Sequence, residues 1–135
     1  YQYPEKLIPL AVKLLQRNKK IRLHDEGQPI RTWLHVKDTS RAVLKIIESG
    51  AQNEVYNISG GFEQKNIDTV EKIINAFDEN LITSRHLNLD FKRKGQDVRY
   101  SLNDKKIRSL GWKPKMVFDK EIDEIVNFYK QNFRW

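Results

Sequence analysis

The sequence contains no cysteine, a single methionine and no apolar run that approaches a membrane span. Without cysteine there is no disulfide framework, no thiol nucleophile and no Cys-based zinc site, which fits a reducing compartment and makes the cytoplasm the expected location. The longest apolar runs, such as LIPLAV at 7–12, fall far short of the ~20 residues that a bilayer crossing needs, and no signal-peptide pattern opens the chain. No membrane association is expected. His24, His35 and His86 have no E-x-x-H partner arrangement, so no metal site is expected either. Nothing resembles the G-x-S-x-G elbow of serine hydrolases. G-x-G-x-x-G is missing too, so this chain contains no dinucleotide-binding loop.

What is present suits one compact unit. A chain of 135 residues with 39% apolar content has material for one modest core, and two complete domains would leave each too small. Lys and Arg total 25 against 18 for Asp and Glu, a formal charge of +7. The lysines are scattered rather than gathered in a run, which favours a solvated surface over a nucleic-acid footprint. The opening YQYPEKLIPL has no initiator Met and enters a helical pattern almost at once, as a piece of a longer chain would.

Periodicity sets out an alternation of elements. After Pro4, which suits a first helical turn, Leu7, Ile8, Ala11, Leu14 and Leu15 form one apolar stripe that ends at the basic RNKK. IRLH (21–24) and IRTWLHV (30–36) read as short strands on either side of the turn DEGQP. Asp38 is placed to cap a helix that carries Val43, Ile46 and Ile47 and stops at Gly50. VYNIS (55–59) reads as a strand running into Gly60-Gly61, followed by a helix marked by Ile67, Val70, Ile74, Phe77 and Leu81. HLNLDFK (86–92) alternates like a half-buried strand. Asn103 is placed to cap a short helix ending at Gly111, and Phe118, Ile122, Ile125, Val126 and Tyr129 mark a last one. The class is α/β, with short strands and about five helices.

Arg31 stands out because it sits between Ile30 and Trp33 in a strand. A guanidinium there needs either a paired charge or a ligand at the strand mouth. Arg93 lies at a second strand end, just before Gly95, where the backbone can turn closely around a small group. Two such forks suit a pyrophosphate, since each can donate paired charge-assisted hydrogen bonds to phosphate oxygens; solvated strand ends are the plainer alternative. Asn57 carries an amide among apolar neighbours that needs partners and can read a base edge or a hydroxyl. His24 is a polar aromatic near a turn. Asp25 and Glu26 beside Gly27 read as a solvated turn rather than an acid/base pair.

The order of the blocks YPEKLIPL, GQPIRTWLHVKD, EVYNISGG, RKGQDVRY, KIRSLGWKP and FYKQNFRW resembles the C-terminal region of nucleotide-sugar 4,6-dehydratases of the dTDP-glucose and UDP-glucose types. These are extended short-chain dehydrogenase/reductases with a Rossmann-like parent fold. The family block RPGHDRRY is matched at Arg93, Gly95, Asp97, Arg99 and Tyr100, and departed from at Lys94, Gln96 and Val98.

The resemblance implies that residues 1–135 form a C-terminal nucleotide-sugar-binding region, with the NAD-binding Rossmann part absent from this chain. Arg31 and Arg93 become the diphosphate clamp, Lys6 a contact to the sugar or phosphates, and Asn57 part of the nucleotide-sugar pocket. His24 stands against the base, and Asp97 near the ribose or its supporting shell. The implied partner is a dTDP- or UDP-sugar and the implied cofactor is NAD, bound by a homodimeric parent. That parent oxidises the sugar at C4, eliminates water across C5 and C6 and returns the hydride to C6, while this chain alone is inactive and binds no cofactor. The alternatives are the C-terminal region of a UDP-sugar epimerase or UDP-glucuronate decarboxylase and, outside enzymes, a basic nucleic-acid-binding module.

Overall fold

A computed structural model describes residues 2–50, 52–92, 95 and 97–132. The first helix, α1 (Leu7–Gln16), begins three residues after Pro4. Pro4 lies in a preceding turn, whereas Pro9 takes the first helical turn, where a missing amide hydrogen costs nothing. Its stripe of Ile8, Ala11, Val12 and Leu15 is buried. β1 (Ile21–His24) pairs in parallel with β4 (Leu87–Phe91), and β2 (Ile30–Trp33) pairs antiparallel with β3 (Phe62–Lys65). The two strands on either side of DEGQP therefore belong to different sheets. The link between them is a tight turn in which Asp25, Glu26 and Gly27 all have positive φ.

α3 (Asn66–Phe77) and α5 (Phe118–Asn132) pack with α1 over β1 and β4. Ile21, Val70, Ile73, Ile74, Ile122 and Val126 fill the main core between them. Each such side chain, fully buried, contributes about 1.5–3 kcal/mol. α3 stops at Asp78, which is extended, so Leu81 lies beyond the helix while still packing on the core. α4 (Lys105–Ser109) is short, and Asn103 Oδ1 accepts from the Lys105 amide at its start. Ile107, Trp112 and Ala42 form a second, smaller cluster. Among the described residues, these five α-helices and short strands are the α/β arrangement expected from the sequence.

Two further expectations fail. Residues 55–59 belong to no strand: among the described residues nothing supplies a ladder for their backbone, and a strand without a neighbour is not a strand. β3 at 62–65 takes the pairing instead, with Arg31 opposite Gln64 and Thr32 opposite Glu63. α2 runs Val36–Glu48 and is capped by His35, whose Nδ1 accepts from the Lys37 amide at 3.1 Å. Asp38 is thus inside the first turn rather than the cap. Its carboxylate is taken by distant partners: Oδ1 accepts from the Lys115 amide at 2.9 Å and Oδ2 from the Met116 amide at 3.0 Å. Gly60 lies directly against the backbone at the end of β2, where an added Cβ would collide with the Trp33 carbonyl oxygen.

Candidate functional site

Arg31 projects from β2 half-buried, and its Nη1 donates to the Ile30 carbonyl at 2.8 Å and to the Asp97 carbonyl at 3.1 Å. Its Cζ stands 4.5 Å from the centre of the Tyr100 ring. Among the described residues no carboxylate forms an ion pair with it. Its charge is met by carbonyl dipoles and an aromatic face, which leaves the guanidinium able to accept an anion.

Residues 97–100 reach Arg31 because they run alongside β2, joined to it by one isolated bridge. The Ile30 amide donates to the Val98 carbonyl at 2.7 Å, and Ile30 and Arg99 form a parallel bridge. Thr32 Oγ1 donates to the Tyr100 carbonyl at 2.7 Å. Arg99 closes the arrangement with two bonds to Glu63 on β3, Nε to Oε2 at 2.9 Å and Nη2 to Oε1 at 3.2 Å. The Tyr100 hydroxyl donates to the Asp97 carboxylate. That bond, and then the charge of Asp97, hold the phenol above its ordinary ionisation range.

The Glu63 carboxyl is held below its ordinary range, first by the hydrogen bond from Arg99 and then by one from Ser101. Because its folded value is depressed, the stability it contributes is present above the ordinary carboxylate range and is lost as pH falls through the folded value. Arg99→Met should return the Glu63 titration upward, which carboxyl-carbon NMR would read directly; an unchanged titration would contradict the pairing.

The other sequence-predicted residues are placed as follows. His24 ends β1 with its ring 4.8 Å from that of Phe91, and its buried Nδ1 has no hydrogen-bond partner among the described residues. Phe91 ends β4, so the His24 pair and the Arg31 cluster flank the two ends of segment 92–96. Arg93 belongs to that segment and lies outside the described residues. Asp97 is brought to Arg31 through its carbonyl, while its carboxylate serves Tyr100. Asn57 is exposed and donates from Nδ2 to the Asn103 carbonyl at 3.2 Å. Lys6 is exposed just before α1, and its ammonium makes no ion pair among the described residues. The structure therefore joins Arg31 with Asp97 and does not bring Lys6 or Asn57 into contact with them.

Thr32, Glu63, Arg99 and Tyr100 are structural partners of the site that residue-by-residue reading leaves out. Arg99 and Tyr100 are visible only as matches to the block RKGQDVRY. A separate apolar cleft of about 440 Å³ is lined by Trp33, Leu34, Phe62, Met116 and Phe118 among others, and by none of the predicted site residues.

A family profile described as GDP-mannose 4,6 dehydratase matches residues 1–125. The chain belongs to this family. It is 37% identical over 140 residues to dTDP-glucose 4,6-dehydratase 1 of Escherichia coli, a match covering all of this chain and 39% of that protein. To the human dTDP-D-glucose 4,6-dehydratase it is 34% identical, over 98% of this chain and 39% of the relative. A crystal structure of dTDP-glucose 4,6-dehydratase from Bacillus anthracis in complex with NAD superposes with a TM-score of 0.85 at 38% identity, covering 98% of this chain and 41% of that one. The chain thus spans about two-fifths of the length of these relatives. A UDP-glucose 4-epimerase from Thermotoga maritima shares the fold, with a TM-score of 0.82 at 20% identity. The kinship with extended short-chain dehydrogenase/reductases expected from the sequence is borne out.

Proposed function

We propose that this chain is the C-terminal, nucleotide-sugar-binding portion of a dTDP-glucose or UDP-glucose 4,6-dehydratase. The observation that carries the reading is Arg31, a half-buried strand arginine whose guanidinium has carbonyl and ring partners but no carboxylate among the described residues. Such a fork can take a diphosphate without first breaking an ion pair. Arg93 is the second fork. His24, whose ring lies 4.8 Å from that of Phe91 at the other end of the segment that carries Arg93, stands against the base. Asp97 acts here through its carbonyl and through Tyr100. Lys6 is assigned to the sugar or the phosphates and Asn57 to the nucleotide-sugar pocket, although neither touches Arg31 or Asp97 in this structure.

NAD belongs with the larger part of such a protein. The residues present here do not fit the cofactor: no G-x-G-x-x-G occurs. The chain's part is to bind and orient the sugar nucleotide. Purified alone, it should show no heat of NAD binding and no formation of a 4-keto-6-deoxy sugar nucleotide. Titration with dTDP-glucose or UDP-glucose should shift the NMR resonances of Arg31, His24 and Asp97. Turnover by the isolated chain, or shifts confined to the apolar cleft at Trp33 and Phe118, would overturn the assignment.

A further inference from the structure

Arg31 is a long side chain, and an arginine at a strand mouth loses rotamer entropy when it is fixed. Whatever orients it before a ligand arrives reduces that cost at binding. Nη1 is tied to two carbonyls, yet two bonds at one nitrogen leave the plane of the fork free to tilt. The Tyr100 ring, 4.5 Å from Cζ, supplies the missing restraint.

Tyr100 is itself held at three points. Its hydroxyl donates to the Asp97 carboxylate, its carbonyl accepts from Thr32 Oγ1, and its amide donates to the Ile30 carbonyl at 3.4 Å. Tyr100 is 53% exposed, so little core packing explains so many restraints. The two main-chain bonds fix the Tyr100 backbone beside β2, and the hydroxyl bond fixes its ring against the guanidinium.

We propose that Tyr100 is a positioning residue for anion recognition: its ring, braced by Asp97, sets the plane of the Arg31 guanidinium so that Nε and Nη2, which have no partner among the described residues, meet a diphosphate as a preformed fork. This rests on the reading of Arg31 as a diphosphate contact. It also gives the Asp97 carboxylate a task, bracing the phenol rather than touching the nucleotide.

The test measures dissociation constants for dTDP and UDP with Tyr100→Leu and Tyr100→Phe, each in the Arg31 and the Arg31→Met backgrounds, together with the Arg31 Nε–Hε resonance. With Arg31 present, Tyr100→Leu should weaken binding roughly three- to tenfold and shift the Arg31 Hε signal by removing the ring current. In the Arg31→Met background the same substitution should change nothing, since no fork is left to orient. Tyr100→Phe keeps the ring and should fall between wild type and Leu, which separates orientation from misfolding. Equal losses in both backgrounds, or no loss with Arg31 present, would overturn the inference. If Arg31→Met itself leaves affinity unchanged, the diphosphate reading of Arg31 falls and this inference falls with it. If Arg31→Met weakens binding and Tyr100→Leu does not, only the role of Tyr100 is lost.

Discussion

Asp38→Asn should destabilise the fold by about 2–4 kcal/mol. The carboxylate is 1% exposed and accepts one backbone amide on each oxygen, from Lys115 and from Met116, while also pairing with Arg41. Asparagine offers one acceptor oxygen, so its NH2 must face a backbone N–H that then loses its partner. The carbonyl of the same residue accepts from Trp112 Nε1 at 3.2 Å, so α2 is tied to residues 112–116 through Asp38 twice. Urea unfolding measures the loss. Arg41→Met provides the contrast: it removes the ion pair but leaves both amide contacts to Asp38, so its loss should be smaller than that of Asp38→Asn. Equal losses for the two variants would mean that the ion pair, not the amide contacts, carries the stability.

Arg31→Met should weaken binding of a nucleoside diphosphate by ~1.5–3 kcal/mol, the worth of a charge-assisted hydrogen bond. Arg31→Lys restores the charge without the planar fork and should recover only part of the loss. The unliganded melting temperature should change little, because among the described residues Arg31 donates to two carbonyls and stands against an exposed ring. A structural arginine would give the reverse pattern, with stability lost and affinity kept. Calorimetric titration and thermal melting of both variants separate the two.

The helices were legible because burial imposes a period on the sequence. Ile8, Ala11, Val12 and Leu15 in α1, or Ile122, Val126 and Tyr129 in α5, announce a buried face whatever it packs against. Strand pairing has no such local signal. FEQK at 62–65 shows little alternation of apolar and polar residues, and only its register with β2 makes it a strand. VYNIS at 55–59 has strand composition but no ladder among the described residues. Asp38 misled for a related reason: an aspartate near a helix start suits a cap, and nothing local shows that its carboxylate is claimed by amides 77 and 78 residues away. Arg31 was readable by its oddness in an apolar strand. Its partner Tyr100 was not, because the contact depends on residues 97–100 lying along β2, a neighbourhood that residue spacing cannot express.

The account stands most directly on whether phosphate, rather than sugar, governs binding. Calorimetric titration of the chain with dTDP-glucose, UDP-glucose and free glucose under one buffer compares them. Binding of either nucleotide sugar with no measurable heat for glucose, weakened by Arg31→Met, is the predicted result. Equal affinity for glucose and the nucleotide sugars would contradict it.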